Sequence, residues 1–379
     1  MKMNSIKAIS IFAVCCFLAG SVTLQGCRKD DGIPAWPWEN GNGGESKPGK
    51  PDDGDGEGET KPDSKPVLPS EPLSALADPE SAGWKNVTEE YTVSDGIAVY
   101  SYTDIFFERP AIAYIAVADA SRTGMDIWSI NDPALSGTTD ALKTPSQVYS
   151  AEPASIIVNG GYFYTSGNKN YSASLAVKNG IVLAQNINYA SEDWVTMFYP
   201  TRAAFVQYEN GEYASCWTYF SSSSSELYMY GKPAENSWSS KPLQIPNASF
   251  PEKADTQALK NAIGGGPVLL KNGAVIDSYK AELFDGQSGI GPDIYAPRTA
   301  IGVSADNKLV LFVCEGREMT EGVTGLTTEE VAKVLYSLGC RDAINLDGGG
   351  SSCMLIGGKE TIKVSDGHQR AVGSTVSFK

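Results

Sequence analysis

Histidine is almost missing: the 379 residues contain one, His368. That excludes from this chain any centre that needs two or more imidazole ligands. Basic charge is short as well. Lys and Arg number 30 against 45 Asp and Glu, a net charge of −15, which argues against nucleic acid or an anionic membrane surface as the main partner. An anionic ligand would have to be held by local basic residues. The seven cysteines include no C-x-x-C pair, so nothing in their spacing suggests zinc. The apolar run from Ala8 to Ala19 is short of the ~20 residues that span a bilayer as a helix.

That run has another meaning. Lys2 and Lys7 precede it, and Leu24-Gln25-Gly26-Cys27 follows. The arrangement resembles a bacterial lipoprotein signal. It predicts that residues 1–26 are removed and that Cys27 carries lipid. The chain would then be anchored to the outer membrane of the cell envelope, on its surface or periplasmic side. Asp30 and Asp31 resemble the acidic export tag of some surface lipoproteins. Residues 27–72 are rich in Gly, Pro and acidic residues with no periodic apolar face, and read as a solvated tether. The folded domain is expected over 73–379. Of the cysteines left in it, Cys216, Cys314, Cys340 and Cys353, three lie in or beside apolar runs; buried thiols and disulfides are both open.

The domain reads as α+β, a mixed but largely antiparallel sheet with a few covering helices. Strands are expected at Tyr91-Thr-Val, from Gly96 to Tyr102 and from Ala111 to Ala118, the last apolar on both faces and so central. Asn179-Gly180 and Asn272-Gly273 each sit between apolar runs, the strongest short hairpin signal, and Asp306-Asn307 marks another hairpin. Residues 218–250, rich in Ser, Tyr, Asn and Trp, read as an insertion or long loop. Short helices are expected around 141–151 and near Asp255 to Ile263. The clearest helix starts at the capping box Thr327-x-x-Glu330, runs its stripe through Val331, Val334, Leu335 and Leu338, and stops at Gly339.

Candidate chemistry gathers at glycine clusters beside short apolar runs. Asn159-Gly160-Gly161, Gly264-Gly265-Gly266 and Asp347-Gly348-Gly349-Gly350-Ser351 are three such places. Arg298, Glu315, Arg317 and Arg370 stand at comparable strand ends. Convergent N–H groups of a glycine loop suit an anion, and arginines offer planar clamps for phosphate. Glu315 and Asp347 supply the two carboxyls that glycosidic hydrolysis requires. Two carboxyls beside an anion clamp suit cleavage of a sugar attached to phosphate. His368 reads as a loop residue.

Val158-Asn159-Gly-Gly-Tyr-Phe163, Ile263-Gly-Gly-Gly-Pro-Val-Leu, Pro297-Arg-Thr-Ala-Ile-Gly302, Gly325-Leu-Thr before the helix, Asn345-Leu-Asp-Gly-Gly-Gly-Ser351 and the closing Arg370-x-Val occur in this order in the phosphodiester glycosidase family, which the chain resembles over about 150–379. The resemblance implies an α+β catalytic domain that hydrolyses a sugar-1-phosphodiester. It also implies that Asn159, Arg298, Thr299, Asp347 and the glycines after it line the site. Relatives commonly read Asp-Gly where this chain has Glu315-Gly316, which moves the carboxylate one methylene outward.

The expected substrate is a sugar phosphodiester in phosphorylated glycan, from a surface polymer or a host. Asp347 and Glu315 share the acid and base or nucleophile roles. Gly160, Gly161, Gly265, Arg298, Thr299, Arg317, Gly348, Gly349, Gly350, Ser351 and Arg370 bind phosphate or substrate with Asn159. No cofactor is implied. Two rivals use the same residues differently: a non-catalytic carbohydrate-binding lipoprotein, and a phosphodiesterase in which Asp347 and Glu315 hold a divalent cation.

Overall fold

The computed structural model describes residues 68–130, 141–285 and 288–379. The signal segment, Cys27 and the tether up to residue 67 lie outside the described residues. Everything described belongs to one compact unit that ends at Lys379.

An eight-stranded sheet forms its middle layer. Strand Arg298–Ser304 pairs with Lys308–Cys314 on one side and with Cys340–Asn345 on the other. Lys308–Cys314 pairs in turn with Ala113–Asp119. These strands are buried along almost their whole length. Alternation sends their side chains to two different cores. Ile301, Val303, Leu309, Leu311 and Val313 face one apolar cluster, shared with Ile156, Val158, Met354 and Val376 of a second sheet. Ala300, Val310, Phe312 and Cys314 face the other, covered by Val331, Val334 and Leu335 of the helix Thr328–Ser337. That helix begins at the expected capping box, with Thr327 and Glu330 bonding each other's backbone, and Gly339 beyond it takes φ 89°.

The second sheet has five strands, with Ile156–Asn159 between Met354–Ile356 and Ser374–Phe378. The third has six, with Arg202–Tyr208 between Leu259–Gly264 and Tyr213–Ser221. The Asn-Gly hairpins form as expected. Asn179 and Gly180 have φ 50° and 77°, Asn272 and Gly273 have φ 51° and 76°, the left-handed pair that a two-residue turn needs.

Five expectations change. The described fold is largely β, with two α-helices, Pro145–Ala151 and Thr328–Ser337, among the described residues; the α content is smaller than an α+β reading implies. Every strand pairing given for the three large sheets is antiparallel, so the sheet is not mixed. The stretch near Asp255 to Ile263 is not a helix. Leu259–Gly264 is a strand, because it fills the gap between Ala176–Lys178 and Arg202–Tyr208, and pairing on two edges overrides local propensity. Tyr91-Thr-Val forms no strand; a single turn of 3₁₀ helix, Thr88–Glu90, precedes it. Residues 218–230 are not loop either. Tyr213–Ser221 and Glu226–Tyr230 form a hairpin at the edge of the six-stranded sheet, while the chain from 231 to 250 is irregular.

Candidate active site

The three glycine clusters are the joints between sheets. Gly160 and Gly161 follow the five-stranded sheet's Ile156–Asn159. Gly264–Gly266 carry the chain from the six-stranded sheet into Val268–Lys271 of the eight-stranded one. Gly348–Gly350 lead from Cys340–Asn345 to Met354–Ile356 of the five-stranded sheet. The joints meet. Asp347 N–H donates to the Gly160 carbonyl at 3.0 Å, and Gly266 N–H to the Asn345 carbonyl at 2.7 Å. A Cβ on Gly161 would collide with the Gly264 carbonyl and Ser174, one on Gly265 with the Asn345 carbonyl, and one on Gly160 with Ser374. These glycines permit backbone to touch backbone, which no larger residue allows. The space at Gly160, Gly161 and Gly265 is filled by protein rather than kept open for substrate.

Asn159 ties the joint together. Its side chain is fully buried. Nδ2 donates to the Asp347 carbonyl at 2.6 Å, while Oδ1 accepts from the Thr299 hydroxyl at 2.8 Å and from Cys353 N–H at 3.2 Å. Asn159 and Thr299 therefore fix the backbone that carries Asp347.

Asp347 lies at the floor, partly exposed. Burial pushes its carboxyl up to about 6, against the pull of Ser351, Arg370, the Gly348 N–H and Arg317. The Gly348 N–H reaches Asp347 Oδ1 at 2.9 Å. Gly348, Gly349, Ser351 and Ser352 all spend their N–H groups within the protein, so the loop does not present the convergent set of free donors that its glycines suggested. Arginines line it instead. The Arg317 guanidinium lies against Gly349, and Arg370 lies against Gly350, where a Cβ would displace each of them.

The arginines differ sharply. Arg298 is 1% exposed. Its Nε donates to the Leu326 carbonyl at 2.9 Å, Nη1 to Ile290 at 3.2 Å, and Nη2 to Gly291 and Ile294 at 2.6 Å each. Four of its five N–H donors are thus committed to backbone. Among the described residues no carboxylate forms an ion pair with it, and burial lowers its pKa. Arg370 pairs with Asp366 at 2.7 Å. Arg317 is exposed and has one weak contact, to the Ser365 hydroxyl at 3.4 Å.

Glu315 leaves the far side of the same strand pair. Cys314 sits opposite Arg298 and Asn345 opposite Ala300, so Glu315 and Asp347 flank one central strand at one end of the sheet. Two strand spacings separate their backbones by roughly 10 Å. Glu315 is 3% exposed. Oε1 accepts from Lys363 N–H at 2.8 Å, and Oε2 has no partner. Glu315 and Arg317 do not pair with each other. Ser351 Oγ is buried beside Asp347, whose carboxyl it pulls down. The unpartnered Glu315 oxygen is a free acceptor for a water or a ligand. His368 is exposed. Among the described residues no group of three His, Cys, Asp or Glu side chains is placed to hold a metal. The four cysteines of the domain are buried and free.

Beside the joint lies a small pocket lined by Tyr162, Ser174, Arg202, Gly265, Phe284 and Ile290, among others. Tyr162 ties it to the joint: its hydroxyl donates to the Gly266 carbonyl at 2.6 Å and accepts from Asn345 Nδ2 at 3.2 Å. Arg202, Ser174 and Phe284 carry no sequence signal of their own, since each lies within an ordinary apolar or polar run. Tyr162 and Asn345 stand inside the glycine motifs and were readable there.

A model of the family described as phosphodiester glycosidase matches residues 152–379. The chain belongs to that family. An 82-residue segment is 40% identical to an SPbeta prophage-derived uncharacterized protein, YomE, of Bacillus subtilis strain 168; it covers 22% of this chain and 12% of that protein. A hypothetical protein from Synechocystis shares the fold with a TM-score of 0.50 at 15% identity, over 78% of this chain and 63% of its own. The match to the zebrafish N-acetylglucosamine-1-phosphodiester alpha-N-acetylglucosaminidase catalytic domain, auto-inhibited by its pro-peptide, has a TM-score of 0.49 at 20% identity, covering 74% of this chain and 81% of that one. The chain thus spans only a part of the first of these relatives.

Proposed function

We propose that the protein hydrolyses a sugar from a sugar-1-phosphodiester in phosphorylated surface polymer or host glycan. The observation that carries this reading is Asp347: a carboxyl raised by burial to about 6, set between two arginines on a loop that three sheet joints hold in place. A carboxyl tuned upward is suited to give a proton near neutral pH. Asp347 therefore protonates the departing phosphate oxygen, and a bound phosphodiester, being anionic, raises its proton affinity further. Glu315, with Oε2 unpartnered, acts on the anomeric carbon from the other side of the central strand, as base to a water or as nucleophile. Arg317 and Arg370 offset the phosphate charge. Asn159, Thr299 and Arg298 hold the loop and the 290–294 segment in position rather than touch the reacting atoms.

The same proposal places the enzyme on the cell envelope, tethered through lipid on Cys27. The test is a panel of sugar-1-phosphodiesters incubated with the protein, with free sugar and phosphomonoester measured separately. Release of both in equal amounts supports glycosidase action. Binding without turnover would instead support a capture protein, and chelator-sensitive release of a sugar phosphate would support a metal-dependent phosphodiesterase.

A further inference from the structure

The two arginines beside Asp347 are not equivalent. Arg370 spends its charge on Asp366: Nε and Nη2 both donate to Asp366 Oδ2, at 2.8 and 2.7 Å. The pair sits on the Asp347 loop, where a Cβ on Gly350 would collide with Arg370 Nη2 and with both Asp366 carboxylate oxygens. The side chains of Arg370 and Asp366 keep 34% and 26% of their surface exposed, so the pair borders solvent instead of being sealed in the core. Arg317 carries the unspent charge. Among the described residues it forms no ion pair, and its guanidinium lies over Gly349 with a 3.4 Å contact to Ser365. Arg317 and Glu318 have φ 57° and 56°, left-handed backbone that residues with a Cβ disfavour and that recurs at ligand clamps.

One segment, residues 363–370, carries these groups from one carboxyl to the other. Lys363 N–H binds Glu315, Ser365 touches Arg317, and Asp366 with Arg370 sits on Gly350. The charges along it nearly cancel. Glu315 and Lys363 bring one of each sign, Asp366 offsets Arg370, and Asp347 as proton donor brings none. The surplus that remains is the single positive charge of Arg317. That surplus matches a phosphodiester, which carries one negative charge. A phosphomonoester near neutral pH carries ~1.5–2, and its second charge would face Asp366 with no cation left to meet it. Placing a like charge in a site is a general means of turning away the wrong ligand.

We propose that Asp366 sets the charge class of ligand at the Asp347 loop, admitting the singly charged phosphodiester and disfavouring the doubly charged phosphomonoester. Naming these two as substrate and product rests on the phosphodiester glycosidase reading above; the charge selection itself does not. Hydrolysis of the sugar–phosphate bond turns the first into the second, so Asp366 repels the product once its second charge appears. It also keeps other phosphomonoesters from occupying Arg317 and Arg370.

The probes are dimethyl phosphate and methyl phosphate, a diester and a monoester without sugar, titrated into the full chain by calorimetry at pH 7. Wild type is expected to bind dimethyl phosphate at least as tightly as methyl phosphate. Asp366→Asn removes the repelling charge while keeping the side chain's shape. It should tighten dimethyl phosphate by ~3-fold and methyl phosphate by ~10-fold, since a dianion feels twice the Coulomb repulsion. Asp366→Glu keeps the charge and should keep the wild-type preference. A merely structural role for Asp366 would move both ligands equally. Tighter binding of methyl phosphate by wild type, an equal shift of both ligands in Asp366→Asn, or no binding of either ligand by that variant overturns the proposal. Should Asp366→Asn fail to fold, Asp366→Ser decides by the same comparison. Charge selection that depends on Asp366, in a protein that turns over no sugar phosphodiester, would support the proposal and sink the glycosidase reading alone.

Discussion

Burial and cations act on the Asp347 carboxyl in opposite senses. Burial wins, so its folded-state carboxyl titrates above the ordinary 3.8, at about 6. The folded protein therefore binds more protons than the unfolded chain between those values, and stability from this group falls as pH rises from about 4 to about 6. Asp347→Asn should remove that slope from a series of melting temperatures taken across the window, with the fold kept. In activity the sign follows from its proposed role as proton donor: turnover should decline as pH rises through about 6. A profile that instead rises through that limb would assign Asp347 as the base. Glycine carries the opposite kind of constraint. Gly161→Ala forces a methyl into the Gly264 carbonyl and should cost about 3 kcal/mol or more in denaturant unfolding. Gly367, at φ 74° with open space around it, should lose only about 1 kcal/mol on change to Ala.

Elements explain why some of this was legible and some was not. Turns and caps are local codes, so Asn179-Gly180, Asn272-Gly273 and the Thr327–Glu330 box could be read from a few adjacent residues. The glycine clusters were legible as special but not in their purpose. That they join three sheets depends on which strand pairs with which, a long-range fact that no window contains. Leu259–Gly264 was misread for the same reason, since two partners on its edges made it a strand. Arg298 was legible as a site residue through its Pro-Arg-Thr motif, but only the fold shows its donors turned to the carbonyls of 290, 291, 294 and 326. Arg202 was silent because a lone arginine at a strand start carries no pattern. The joint has its own prediction. Asn159→Ala leaves the Thr299 hydroxyl and the Asp347 carbonyl without their partner, and should cost about 1–3 kcal/mol. Its activity should fall further than its stability at temperatures where it is still folded, because the Asp347 loop loses its anchor; equal, small losses in both would place Asn159 outside the site's support.

For the whole molecule, the candidate residue Asp347 lies beside the joints where the chain passes from one sheet to another. A joint of this kind holds a carboxyl and its arginines in fixed relation. With a net charge of −15, an anionic substrate of the kind proposed would have to be drawn in by the local cations, and its binding should weaken with salt. The proposed lipid anchor is tested apart from catalysis: Cys27→Ser should abolish incorporation of labelled fatty acid and shift the protein from the membrane fraction to the soluble one. Continued membrane association without label would reject the lipoprotein reading.

The central claim, that Asp347 drives cleavage of the sugar–phosphate bond, meets its most direct test in product analysis. Wild type and Asp347→Asn are incubated with the same sugar-1-phosphodiester, and free sugar and phosphomonoester are quantified together. Wild type should release the two in equal amounts, and Asp347→Asn should be slower by ~10²–10⁴-fold with its fold unchanged. Full turnover by Asp347→Asn would contradict the account.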